Sequence, residues 1–163
     1  MPEAVIVSAV RSPIGRAMKG SLKTVRPDDL ATQMVAAALA KVPELDPTEI
    51  DDIMLGCGQP AGQSGFNIAR VVAVQLGYDF LPGVTVNRYC SSSLQTTRMA
   101  LHAIKAGEGD VFISAGVESV SSFVTGNADG SPTRRTPSST THRRAAPSSP
   151  RVAPRGPIRV QKV

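Results

Sequence analysis

Short continuous apolar runs and longer runs at helical spacing take turns along this chain, and their order predicts its elements. Ala4-Val5-Ile6-Val7-Ser8-Ala9-Val10 is a β-branched apolar run, the pattern of a strand covered on both faces. Arg11-Ser12-Pro13-Ile14-Gly15 breaks it as a loop. Pro27-Asp28-Asp29 opens a helix with acids in its first turn, places Leu30, Met34, Ala37 and Ala38 on one stripe, and stops near Pro43. Ile53-Met54-Leu55-Gly56-Cys57-Gly58 is a second strand, ending in a Gly/Pro loop that reaches Gly65. A second helix over residues 67–76 carries Ile68, Val71, Val72 and Gln75 at helical spacing, with Gly77 closing it. Val84-Thr85-Val86 is a third strand, a corner at Cys90 leads into a helix ending at Gly107, and residues 110–116 form a fourth strand. Strands alternating with helices predict an α/β fold, a mostly parallel sheet with helices on both faces. In such sheets sites gather at the carboxyl ends of the strands, and Cys57, Cys90 and the turn Gly116-Val117-Glu118-Ser119 all lie at such ends.

The corner is the most informative stretch. A cysteine at the start of a long helix sits where the first backbone N–H groups lack intrahelical partners and where the macrodipole is positive. Both favour thiolate over thiol, which suits a nucleophile. Ser91, Ser92 and Ser93 are expected to satisfy the orphan N–H groups of that helix start. Behind them Gln95, Arg98, His102 and Lys105 form one thin polar stripe, while Leu94, Thr97, Met99, Ala100, Leu101, Ala103 and Ile104 cover the remainder. A helix apolar on most of its circumference is normally buried on most of it, so a further layer is expected against it.

Composition divides the chain. Up to Thr125 there are ten Lys/Arg and twelve Asp/Glu; from Gly126 onward there are eight basic residues and one acid, Asp129. The net charge of +5 therefore belongs to the last segment, and a globular part that is slightly acidic gives no support for nucleic-acid binding. Residues 126–163 hold six of the thirteen prolines and no aromatic residue. That composition cannot bury enough apolar surface to offset ordering entropy, so a disordered tail is expected there. Two cysteines without metal-ligand spacing, Glu3 in place of a basic leader, and no apolar run of membrane length predict a soluble cytoplasmic protein without a metal site.

Five motifs in order carry a resemblance. They are Val10-Arg11-Ser12-Pro13-Ile14-Gly15, Gly56-Cys57, Asn67-Ile68-Ala69-Arg70, Val86-Asn87-Arg88-Tyr89-Cys90 and Gly116-Val117-Glu118-Ser119-Val120-Ser121. Through them the chain resembles the N-terminal part of the thiolases, the acetyl-CoA acetyltransferase and 3-ketoacyl-CoA thiolase family. The resemblance implies an incomplete N-terminal half of the αβαβα thiolase fold over residues 1–125, with residues 126–163 a basic Pro/Ser/Arg-rich tail unrelated to the family.

It also implies the chemistry: acyl transfer between CoA thioesters through an acyl-cysteine at Cys90, as thiolysis of a 3-ketoacyl-CoA or the reverse Claisen condensation. Coenzyme A thioesters are then substrates, no bound cofactor is expected, and the full-length family implies a homo-oligomer with neither a specific nucleic acid nor a membrane as partner. The family takes its acid and base from a Gly-His-Pro histidine and a second cysteine in a glycine-rich loop, and supports an oxyanion hole with an Asn-Glu motif. None of these strings occurs here: His102 and His142 stand in other contexts, and Ser91-Ser92-Ser93 replaces the small residues and glycine usual after the nucleophile. The chain is accordingly expected to be an inactive truncation whose tail is an out-of-frame translation of GC-rich coding sequence. Alternatives are a ketoacyl-synthase-like condensing enzyme, whose nucleophile can share a Cys-Ser-Ser-Ser-Leu context, and a non-enzymatic fragment. Cys57 is expected to be a small core residue, Arg70 a loop anchor, His102 a helix-surface residue and Glu118 an organiser of its turn. The sequence names no substrate-binding residue.

Overall fold

The computed structural model describes residues 3–122. The tail expected over residues 126–163 lies outside the described residues. Three parallel strands form the sheet: β1 (Asp52–Gly56), β2 (Gly83–Val86) and β3 (Phe112–Gly116), in the order β2-β1-β3. The helices are α1 (Pro27–Leu39), α2 (Ile68–Gln75) and α3 (Ser92–Ala106). Parallel neighbours need crossovers, and α2 and α3 supply them. The step from β1 to β2 moves outward to one edge, and the step from β2 to β3 passes back over β1 to the other. Because crossovers keep one hand, reversing direction puts the second helix on the opposite face.

Side-chain parity along the strands shows the same division. Ile53 and Leu55 point into a core with Ala31 and Val35 of α1 and Ile68, Ala69, Val72 and Ala73 of α2. Both are fully buried, and each contributes about 1.5–3 kcal/mol through apolar burial. Gly56 and Gly116, of the opposite parity, face the first turn of α3. On that side Thr96, also fully buried, shares a hydrogen bond of 2.9 Å with the Ser114 hydroxyl.

Helix limits follow local signals. Proline at the first position, which lacks an N–H the helix could not use, opens α1 with Asp28 and Asp29 behind it. Gly107, at φ 74°, takes the left-handed position that ends α3. The motif Asn67-Ile68-Ala69-Arg70 is structural. Asn67 Nδ2 donates to Gly83 O at 2.6 Å, and its Oδ1 accepts from the Thr85 hydroxyl at 2.8 Å, fixing the start of α2 to β2. The Arg70 guanidinium donates to the carbonyls of Tyr78, Asp79 and Leu81, so it anchors the α2–β2 loop as expected.

Three expectations change. The run Ala4-Val5-Ile6-Val7-Ser8-Ala9-Val10 is not a strand: it pairs with none of β1–β3, and Val5, Ile6 and Val7 are 71%, 81% and 75% exposed. Its holds are at the end of α1, where Ser8 Oγ donates to Ala38 O and Lys41 Nζ to Ala9 O, both at 2.9 Å. A β-branched run records what a segment can form; it becomes a strand only when it pairs, and this one is held at the end of α1 and not against the free edge of β2 or β3. The stripe of α1 is rotated. Ala31 and Val35 are buried and Leu30 and Met34 half-buried, while Ala37 is exposed, because Asp28, paired with Arg26, takes the buried N-terminal place on that face. Of the four expected strands, three form among the described residues. On α3 only Ser92, Thr96 and Ala100 are buried, and Leu94 stays 73% exposed. No described residue supplies the further layer expected against it.

Asp52, at the start of β1, carries a pH-dependent cost. Burial pushes its carboxyl up, against a weaker opposing pull from the Ile53 backbone N–H, and its buried Oδ1 has no hydrogen-bond partner among the described residues. Folding therefore favours the protonated form, so this residue's penalty is absent below the unfolded carboxylate range and grows as pH rises through the folded value. Asp52→Asn is expected to stabilise the chain at pH 7 by on the order of 1 kcal/mol. The gain should shrink as pH is lowered towards 4, read from urea unfolding at both ends of that range. A gain that is equal at both ends would contradict the assignment.

Candidate active site

The carboxyl ends of all three strands converge on a cleft of ≈ 460 Å³. Gly56, Gly58 and Gln59 line it from β1, Tyr89, Cys90, Ser92 and Ser93 from the β2–α3 corner, and Gly116, Val117, Glu118 and Val120 from β3. The reversal of winding direction across β1 creates this crevice. Cys90 is a free, exposed cysteine on the wall of the cleft. It stands in the 3-10 turn Tyr89–Ser91, which runs directly into α3.

The turn is strained and held from outside. Tyr89 has φ 49°, a left-handed conformation that a non-glycine residue adopts at a cost of order 1–3 kcal/mol. Ser92 clamps it: its Oγ accepts from the Arg88 N–H at 2.9 Å and donates to Tyr89 O at 2.6 Å. Tyr89 N–H donates to Asn87 Oδ1 at 2.9 Å. This corrects the capping expected of the serines. Ser91 holds the N-cap position without a side-chain cap bond, and the Ser92 hydroxyl serves the turn in place of the helix N–H groups. The corner needs its serine more for the left-handed Tyr89 than for the helix behind it.

Glu118 reaches across the cleft floor. Its Oε2 accepts the Gly58 N–H at 2.7 Å, joining the loops after β3 and β1. The Gly58 carbonyl accepts from Asn87 Nδ2 at 3.1 Å, joining the loops after β1 and β2. A Cβ on residue 58 would stand 2.8 Å from Glu118 Oε2, the free end of a flexible side chain, so a larger residue there would push the carboxylate aside. Glu118 does more than order its own turn, and neither Asn87 nor Gly58 was singled out by sequence reasoning. Their partners lie 29 and 60 residues away, and no local periodicity encodes that.

Cys57 is 1% exposed and belongs to the core. Burial, and then the Glu118 charge, push its thiol up, with partial offset from hydrogen bonds to the Gln59 backbone and Ser64. It is a protonated packing residue at neutral pH. His102 is exposed on α3 and does not line the cleft. Among the described residues no group of three or more His, Cys, Asp or Glu could hold a metal ion, and no helix is long and apolar enough to cross a membrane.

Comparison with known proteins fits this geometry. A 3-ketoacyl-CoA thiolase of Aeromonas salmonicida (strain A449) is 45% identical over 119 residues, 72% of this chain and 31% of the relative. The 3-ketoacyl-CoA thiolase of Bacillus subtilis (strain 168) is 45% identical over 122 residues, 74% of this chain and 31% of the relative. The 3-oxoadipyl-CoA/3-oxo-5,6-dehydrosuberyl-CoA thiolase of Escherichia coli (strain K12) is 44% identical over 131 residues, 78% of this chain and 32% of the relative. The chain thus spans about a third of the length of these relatives. The model of the thiolase N-terminal domain matches residues 4–149, past the change of composition at residue 126. With most of its length matched by that domain, the chain belongs to the thiolase family.

Proposed function

We propose that Cys90 is the nucleophile of a thiolase-type acyl transfer between CoA thioesters. The observation that carries this reading is the position of its thiol: exposed in the cleft at the carboxyl ends of three parallel strands, on a clamped turn directly before α3. In thiolysis the Cys90 sulfur adds to the 3-keto carbonyl carbon of a 3-ketoacyl-CoA. The bond to C2 breaks, and its electron pair leaves on the acetyl-CoA carbanion, which takes up a proton. The thiol of a second CoA, giving up its proton, then attacks acyl-Cys90 and releases the sulfur. Condensation runs these steps in reverse. Covalent capture divides one hard step into two easier ones.

Carbanion formation needs a positioned acid and base. The residues the family resemblance implies for that role are not among these 163, so this chain by itself should acylate and not turn over. The relatives' names support CoA thioesters as the substrate class, and a cytoplasmic homo-oligomer acting in fatty-acid metabolism is the setting that fits it.

Incubation with acetyl-CoA tests the reading. Slow, stoichiometric acetylation confined to Cys90 is expected by peptide mass spectrometry, with the adduct lost in Cys90→Ser and no thiolysis above background. An adduct that persists in Cys90→Ser would remove Cys90 from the role. Sustained thiolysis by this chain would overturn the claim that it lacks an acid and base.

A further inference from the structure

We infer that Glu118 and Asn87 are positioning residues for Cys90, acting through the Gly58 peptide. The inference rests on the reading of Cys90 as nucleophile and adds the device that holds it. Three hydrogen bonds run in series from the loop after β3 to the cysteine turn. Gly58 N–H donates to Glu118 Oε2 at 2.7 Å, Asn87 Nδ2 donates to Gly58 O at 3.1 Å, and Tyr89 N–H donates to Asn87 Oδ1 at 2.9 Å. The last bond ends on the residue whose φ of 49° sets the direction of Cys90. A left-handed non-glycine residue keeps that conformation only when its surroundings over-determine it. The Ser92 clamp is local to the turn, whereas this series ties the turn to the loops after β1 and β3.

The chemistry of each link is specific. Asn87 uses its amide as donor and acceptor at once, so its orientation is fixed and aspartate cannot replace it: a carboxylate would set an oxygen against the Gly58 carbonyl. Gly58 is buried, so loss of the Glu118 acceptor leaves its N–H unpaired in the cleft floor. Glutamine at position 118 retains an oxygen acceptor and discards the charge, so it separates a hydrogen-bond role from an electrostatic one.

The test uses the 163-residue chain and iodoacetamide, a neutral probe from which the Cys90 sulfur displaces iodide. Alkylation of Cys90 is followed by peptide mass spectrometry under native conditions and in urea, alongside thermal unfolding. The native wild type is expected to react about tenfold faster than the urea-unfolded chain, as a thiol oriented at a helix start does. Glu118→Ala and Asn87→Asp should bring the native rate down to the unfolded value, while Glu118→Gln keeps the wild-type rate. If Glu118→Ala fails to fold, Asn87→Asp decides from the other end of the series. A wild-type rate retained in folded Glu118→Ala or Asn87→Asp overturns the inference and leaves the nucleophile reading intact. Equal changes in Glu118→Ala and Glu118→Gln overturn it too, since charge alone then accounts for the effect. A wild type no faster than its unfolded chain overturns it together with the advantage claimed for the corner.

Discussion

Replacing Gly56 with alanine is expected to destabilise the chain by about 3 kcal/mol or more, at the upper end of what overpacking costs. Gly56 ends the central strand and faces α3. A Cβ there would lie 2.6 Å from the Ser92 carbonyl carbon and from the Ser93 nitrogen. Both are backbone atoms in the first turn of a helix and cannot rotate aside as a flexible side chain would. The helix start must move, and with it Ser92, whose hydroxyl holds the Cys90 turn. Urea unfolding should therefore show a large loss of stability, and iodoacetamide should show altered Cys90 reactivity in whatever fraction stays folded. Gly77→Ala is the control: a Cβ there meets nothing within 4 Å, so its left-handed φ of 82° sets a cost of about 1–2 kcal/mol. If both substitutions cost the same, α3 does not press on β1 as the structure has it.

Elements whose signals are local were legible in the sequence. Pro27 with its acids, Gly77 and Gly107 bound their helices within a few residues, and three short apolar runs became β1, β2 and β3. What failed depended on something distant. The run ending at Val10 has strand composition, but strand formation is a property of a pair, and the run pairs with none of the described strands. The stripe on α1 was misplaced because Asp28 is polar by residue type and buried by virtue of Arg26, two positions earlier. Cys90 stood out because residue type, a preceding strand and a following helix coincide within a few positions. The Gly58–Glu118 bond could not be read that way, since it joins loops after different strands and neither residue alone announces the other. The serines were legible as polar groups at a helix start, while their partner was set by the backbone angle at Tyr89.

Removing Arg26 alone is expected to cost more than removing Arg26 and Asp28 together. Arg26 donates from Nε and Nη2 to the two oxygens of Asp28, each at 3.0 Å, a bidentate pair. The Asp28 side chain is 2% exposed and the Arg26 side chain 20%. Asp28 Oδ1 also accepts the Asp29 N–H at 3.1 Å, while Gln75 Nε2 approaches Oδ2 at 3.5 Å from α2. Arg26→Met would take the bidentate guanidinium away from a buried carboxylate, and the Asp29 N–H and the Gln75 amide are neutral donors that compensate weakly. A loss of about 3 kcal/mol is expected, the low end for breaking a buried pair because water reaches part of the guanidinium. In Arg26→Met/Asp28→Leu no charge remains to be desolvated, and leucine fills the space beside Ala31 and Val35 on the buried face of α1. The double variant forfeits the favourable placement of an acid at a helix N-terminus, worth roughly 0.3–1 kcal/mol, and should still be more stable than Arg26→Met. Urea unfolding of the wild type, both single variants and the double closes the cycle, with a coupling of at least about 1 kcal/mol expected. Losses that simply add would mean that Asp28 is solvated in solution and that the α1–α2 contact opens there, a different packing of this face from the one that buries Ala31, Val35 and Val72.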